Sequence, residues 1–206
     1  MAILTAESAK QWMFAIHKRM EQNKEQLTEL DLAVGDGDHG NNMARGFYEV
    51  TEKLKHVTYE TPADVMKTAA MTLMARVGGA SGPLYGTAFL EMSIAFEGKE
   101  VDQMVLRDAV VHAAEGIKRR GKTELGEKTL YDVWFQVGEV LDSELEDWND
   151  LAEVCQAMIE DTRELKSAKG RASFMGNQSK GHVDPGSMSS FYIFEALVEV
   201  LEGVEA

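Results

Sequence analysis

A chain of 206 residues with 44% hydrophobic positions is long enough to bury one substantial core. Its 35 acids against 21 lysines and arginines give a formal net charge of −14. That balance argues against nucleic acid as the main partner, because phosphate backbones are met by basic surfaces. The single cysteine, Cys155, excludes an internal disulfide; with no long apolar run and no signal-peptide pattern, the chain reads as soluble and cytoplasmic, without a membrane partner.

Apolar residues near a 3.6-residue period, from Trp12 and Ile16 through Met20 to Leu27 and Leu30, predict a first helix over about 5–30. It runs into Asp31-Leu32-Ala33-Val34-Gly35-Asp36-Gly37-Asp38-His39-Gly40-Asn41-Asn42, three carboxylates and an imidazole among glycines. Two carboxylates about 4 Å apart repel by about 1 kcal/mol in water and about 4 kcal/mol at an effective dielectric near 20. Three on one tight loop therefore demand a counter-charge, and the glycines let the backbone fold closely around it. A hard divalent cation, with phosphate as a further ligand, suits these oxygens best. A polar turn capping the next helix needs fewer acids. An EF-hand loop starting at Asp36 would put Phe47 where a bidentate glutamate is required, so that reading fails.

Met43, Phe47, Val50 and Leu54 mark the second helix, and Thr61-Pro62-Ala63-Asp64 opens a third that stops at Gly78-Gly79. Gly79-Ala80-Ser81-Gly82-Pro83 leads into a fourth helix and offers backbone N–H groups to an anion. A fifth spans about Asp102 to Arg120 and ends at Gly121. The stretch Gly121–Thr129 is no P-loop, since Glu127 separates Gly126 from Lys128 and a helix precedes it; it leaves a lysine and a threonine near an anion. Leu130, Val133, Trp134 and Val137 make a sixth helix, and Leu151, Cys155, Met158 and Ile159 a seventh, inside an acidic run from Glu139 to Glu164. The segment 170–186 is long for a connection, which predicts a functional loop, with Arg171 as a phosphate fork. Phe191, Phe194, Leu197 and Leu201 form the eighth helix. Period-2 segments are lacking, so the expected fold is all-α.

Twelve of the 18 glycines lie in 35–40, 78–82, 121–126 and 170–186, the connections that follow the odd-numbered helices. Short links favour antiparallel neighbours, so in an up-and-down array these four connections emerge together. The expected architecture is an up-and-down array of about eight helices over one domain, 1–206, with a site at one end.

Five stretches then carry a family resemblance: GDGDHGNNMARGF (35–47), GGASGPLYGTAF (78–89), GEKTLYD (126–132), KGRASF (169–174) and GHVDPGSMSS (181–190). The chain resembles the L subunit of dihydroxyacetone kinase (DhaL), the nucleotide-binding partner in the phosphoenolpyruvate-dependent system. The resemblance implies an eight-helix antiparallel up-and-down barrel with a nucleotide site at one end, in which Asp31, Asp36 and Asp38 hold two magnesium ions and ADP or ATP is the cofactor. It implies nucleotide contacts for His39, Gly40, Asn41 and Asn42, for Gly79, Ala80 and Ser81, and for Gly121, Leu130, Arg171, Asp184, Pro185 and Gly186. It further implies a phosphoryl relay from a phosphohistidine donor subunit (DhaM-like), through bound ADP, to dihydroxyacetone on a substrate-binding subunit (DhaK-like). The alternative is the nucleotide-binding part of an ATP-dependent kinase for dihydroxyacetone or a related small ketose. Where the family usually reads Gly-Asp-Lys-Thr-Met, this chain has Gly126-Glu127-Lys128-Thr129-Leu130; leucine conserves the methionine's volume against the adenine.

Overall fold

The computed structural model describes residues 3–143 and 147–203; Glu144 and Glu146 of the acidic run lie outside the described residues. Nine α-helices and one 3₁₀ segment appear among the described residues: α1 (Ala6–Gln22), α2 (Lys24–Val34), α3 (His39–Lys55), α4 (Pro62–Arg76), α5 (Ser81–Phe96), α6 (Gln103–Gly121), α7 (Leu130–Asp142), α8 (Trp148–Glu164), the 3₁₀ segment Arg171–Ser179, and α9 (Pro185–Leu201). Beyond an isolated Leu4–Val101 bridge there is no β-structure among them. No described helix is long and apolar enough to cross a membrane.

The helix expected over 5–30 is a kinked rod of two segments. Asn23 leaves helical geometry, and both its N–H (3.0 Å) and its Nδ2 (2.9 Å) donate to Arg19 O, ending α1 before α2 restarts. The second segment continues to Val34, so Asp31 stands in the last turn of a helix and not in the loop. Elsewhere the starts follow their capping chemistry. Thr61 Oγ1 accepts from Asp64 N (3.2 Å) with Pro62 as first residue of α4, and Asp102 accepts from Val105 N (2.9 Å) at α6.

Counting α1 and α2 as one rod, eight rods close a ring. From α3 through α9 each helix packs on the next, α1 packs on α3, and α9 returns to α1. The seam is stitched by Trp12 Nε1 donating to Ile193 O (2.8 Å) and by Arg19 reaching Glu195 and Glu199 at 2.7 Å each. Aromatic rings fill the interior. Phe89 of α5 meets Trp12, Phe47 and Trp134 edge-on at 5.9, 6.1 and 6.2 Å, and Trp134 meets Phe194 at 4.8 Å. Such T-shaped pairs are worth about 0.5–1.5 kcal/mol each beyond their buried area. Close approach of α5 to α4 depends on Gly82, where a Cβ would stand 2.3 Å from Val77 O.

Candidate functional site

The connections after α2, α4, α6 and α8 all line one cavity of about 420 Å³. At the opposite end, residues 55–59 lie beside Ala6 and Lys10 around a smaller hollow. One mouth therefore gathers the glycine-rich segments.

Asp31 anchors the first wall. Its Oδ2 accepts from the backbone N–H groups of Asp38 (2.9 Å) and His39 (3.1 Å), which pulls the 35–38 loop onto the end of α2. The turn needs a left-handed residue, supplied by Gly37 at φ 72°. Folded this way, carboxylate oxygens of Asp31, Asp36 and Asp38 lie within 4.8 Å of one another, Asp31 buried and the other two exposed. Arg171 reaches across from the 3₁₀ segment to pair with Asp36. Oxygen-only donors this close on short side chains fit a hard divalent cation, and Asp31 keeps Oδ1 clear of those backbone donors.

Two helices begin beside these acids. At α3 the first N–H, that of His39, is taken by Asp31, whereas Ala80 gives α5 no side-chain acceptor, so N–H groups at the start of α5 stay available to an external anion. Gly79, at φ 66°, has open space where a side chain would be. His39 ties the two helix starts to α9. Its Nδ1 lies 3.2 Å from Ser81 Oγ and its Nε2 lies 2.9 Å from Ser189 Oγ. Burial pushes the imidazole pKa below its ordinary value, against the pull of Asp31 and Asp38, which favours the neutral ring. Behind it Tyr85 Oη stands 2.6 Å from Ser189 Oγ and donates to Gly186 O (2.8 Å), fixing the turn that opens α9. Burial raises the Tyr85 pKa far above its usual value, so the phenol keeps its proton.

The remaining walls come from α7, α9 and the loops before them. Thr129 caps α7, and Asp132 accepts from Thr129 N (2.7 Å) and Gly126 N (2.5 Å). Asp184 caps α9 through Ser187 N (2.7 Å); its burial pushes its pKa up to about 6. Glu127 accepts through Oε2 from Glu124 N (2.8 Å) and Thr123 Oγ1 (3.0 Å) and pairs with Lys169 (3.4 Å), joining the two longer loops.

Of the nucleotide contacts expected from the sequence, His39, Gly79, Ala80, Ser81, Gly121, Leu130, Arg171, Asp184, Pro185 and Gly186 line the cavity; Gly40, Asn41 and Asn42 do not. Gly40 faces α2, where a Cβ would stand 2.1 Å from Lys24 O, so its lack of a side chain serves helix packing. Asn41 is exposed, and Asn42 Oδ1 accepts from Arg45 (2.7 Å). Apolar lining from Val34, Leu84 and Ile117 was not distinguished in the sequence, because their helical spacing is that of core residues. Lys128, expected to face an anion, lines the cavity but has its ammonium turned to backbone carbonyls.

Residues 33–199 match the family model of the DAK2 domain, a span that begins two residues after Asp31. The ADP-binding subunit DhaL of PEP-dependent dihydroxyacetone kinase 1 from Listeria innocua is 46% identical over 194 residues, covering 93% of this chain and 94% of that protein. The corresponding ADP-binding subunit DhaL from Escherichia coli is 36% identical over 199 residues, covering 90% and 92%. Among solved structures, the native dihydroxyacetone kinase of C. freundii shares the fold with a TM-score of 0.73 at 23% identity, over 94% of this chain and 34% of that one.

Proposed function

This chain belongs to the DAK2-domain family, and from that membership we propose that it is the ADP- and magnesium-binding subunit of a phosphoenolpyruvate-dependent dihydroxyacetone kinase. One observation carries the reading. The Asp31, Asp36 and Asp38 carboxylates share a cavity with the uncapped N-terminus of α5, so sites for cations and for phosphates adjoin.

Asp31, Asp36 and Asp38 would hold two magnesium ions, which when bound neutralise charge on the transferring phosphoryl group. The first turn of α5 with Ser81, and Arg171, receive the phosphates, the last as a planar two-donor fork. Leu130, Gly121 and the Asp184-Pro185-Gly186 turn bound the apolar part of the cavity, where the adenine packs. His39, neutral and held at both ring nitrogens, keeps the phosphate-binding walls at fixed spacing. The chain acts as one nucleotide-binding domain. Its donor is a phosphohistidine subunit and its acceptor is dihydroxyacetone on a third subunit, both meeting the nucleotide at this end of the barrel. No group of this chain forms a covalent bond to the phosphoryl; binding and alignment are its contribution.

The test is to denature freshly purified protein and quantify the nucleotide released. About one ADP per chain, lost on prior dialysis against EDTA, is the expected result. An empty protein that binds ATP reversibly favours the ATP-dependent kinase. No nucleotide, and none taken up with magnesium, defeats the assignment of this cavity.

A further inference from the structure

Among the described residues, Lys128 is the only lysine or arginine that is fully buried, at 2% exposure. Its backbone is left-handed (φ 60°), a conformation that costs a non-glycine residue and turns this side chain inward beneath the 165–184 segment. There Nζ donates to Ser179 O (2.6 Å), Leu165 O (3.1 Å) and Arg163 O (3.4 Å). An ammonium has three protons, so its donor capacity is filled and none is left for a phosphate. No carboxylate among the described residues touches it; Asp184 exerts the largest opposite-charge effect on it. Burial lowers the Lys128 pKa, a cost set against three charge-assisted bonds to backbone dipoles.

The three acceptors belong to two different pieces of chain. Arg163 and Leu165 are the free carbonyl end of α8, and Ser179 ends the 3₁₀ segment. Between them run Lys169 and Arg171, and directly after them comes the Asp184–Gly186 turn, all lining the cavity. Among the described residues few other bonds hold this stretch to the barrel: Ala168 N to Glu127 O (3.1 Å), the Arg163–Gly181 bonds, the Lys169–Glu127 pair and the exposed Arg171–Asp36 pair at its far side. We propose that Lys128 is a positioning residue for the nucleotide, a three-carbonyl clamp that fixes the 165–180 segment against the Leu130 wall and so sets Arg171 and the Asp184 turn around the cavity. This rests on the nucleotide reading above and adds to it the element that makes the C-terminal wall rigid.

Wild type, Lys128→Met and Lys128→Gln are compared in three ways: calorimetric titration with ADP and magnesium, far-ultraviolet circular dichroism, and nucleotide-free trypsin digestion read by mass spectrometry. The segment itself carries the reporter sites Lys166, Lys169, Arg171 and Lys180. For Lys128→Met we expect at least tenfold faster cleavage within 166–180, at least tenfold weaker ADP binding and unchanged helix content. Phosphoryl transfer should return to within about twofold of wild type at saturating ADP. Lys128→Gln, which keeps two donors, should fall between. Unchanged ADP affinity overturns the proposal. So does weakened binding with unchanged cleavage, which would make Lys128 a direct nucleotide ligand, or loss of helix content, which would give it to the barrel as a whole. If wild type itself takes up no ADP, the nucleotide reading fails first.

Discussion

Asp184 shows how a single side chain can set a pH response. Its pKa in the folded protein is about 6, raised from the ordinary 3.8 by burial, with Ser187 pulling the other way. A folded pKa above the unfolded one means the folded state holds the proton more tightly. The associated stability is therefore full below about pH 4 and lost as pH rises through about 6, roughly 3 kcal/mol in all. Asp184→Asn keeps an acceptor for the α9 cap but removes the charge. In urea titrations of nucleotide-free protein across pH 4–7, it should flatten that part of the profile. The gathering of the three aspartates could be read from sequence, because three acids in so short a glycine loop exceed what one helix cap needs. Lys128 could not be read correctly. Its neighbourhood suggests an anion, and only the folded chain reveals that distant carbonyls occupy its protons. Gly40 was ambiguous for the same reason, since a glycine spared a side chain for packing looks like one spared for a ligand.

Helix starts were the best-read elements. Thr61-Pro62 and Asp102 open α4 and α6 as their chemistry dictates, while the missing cap on α5 marks where an outside ligand is expected. Thr129 is a cap with a second duty, since it places Leu130 at the first position of α7 inside the cavity. Thr129→Ala should cost about 1 kcal/mol in denaturant unfolding and weaken ADP binding as well, whereas loss of a cap far from the cavity should affect stability alone. The break at Asn23 escaped the sequence because no glycine or proline announces it and the apolar period continues across it. The 3₁₀ segment escaped because a short helix of that type has too few turns to leave a periodic signature.

The architecture was readable to the extent that glycine placement betrays direction. Four glycine-rich connections after alternate helices could meet only at one end of an antiparallel array. What helical spacing alone could not give was closure, which entered only with the family resemblance and depends on α9 returning to α1. The ring is held from inside by Phe89, whose ring contacts side chains of three other helices. Phe89→Ala should destabilise the protein by about 3–5 kcal/mol, measured by urea unfolding with nucleotide absent. The seam has a further consequence in time. Its bonds join residues 176 to 181 positions apart, whereas most of the ring is built from helices adjacent in the chain. During synthesis each hairpin can form as it leaves the ribosome, but Trp12 waits for Ile193, and the barrel's inner face stays open until then. The chain is thus most prone to stick to its neighbours until α9 has emerged.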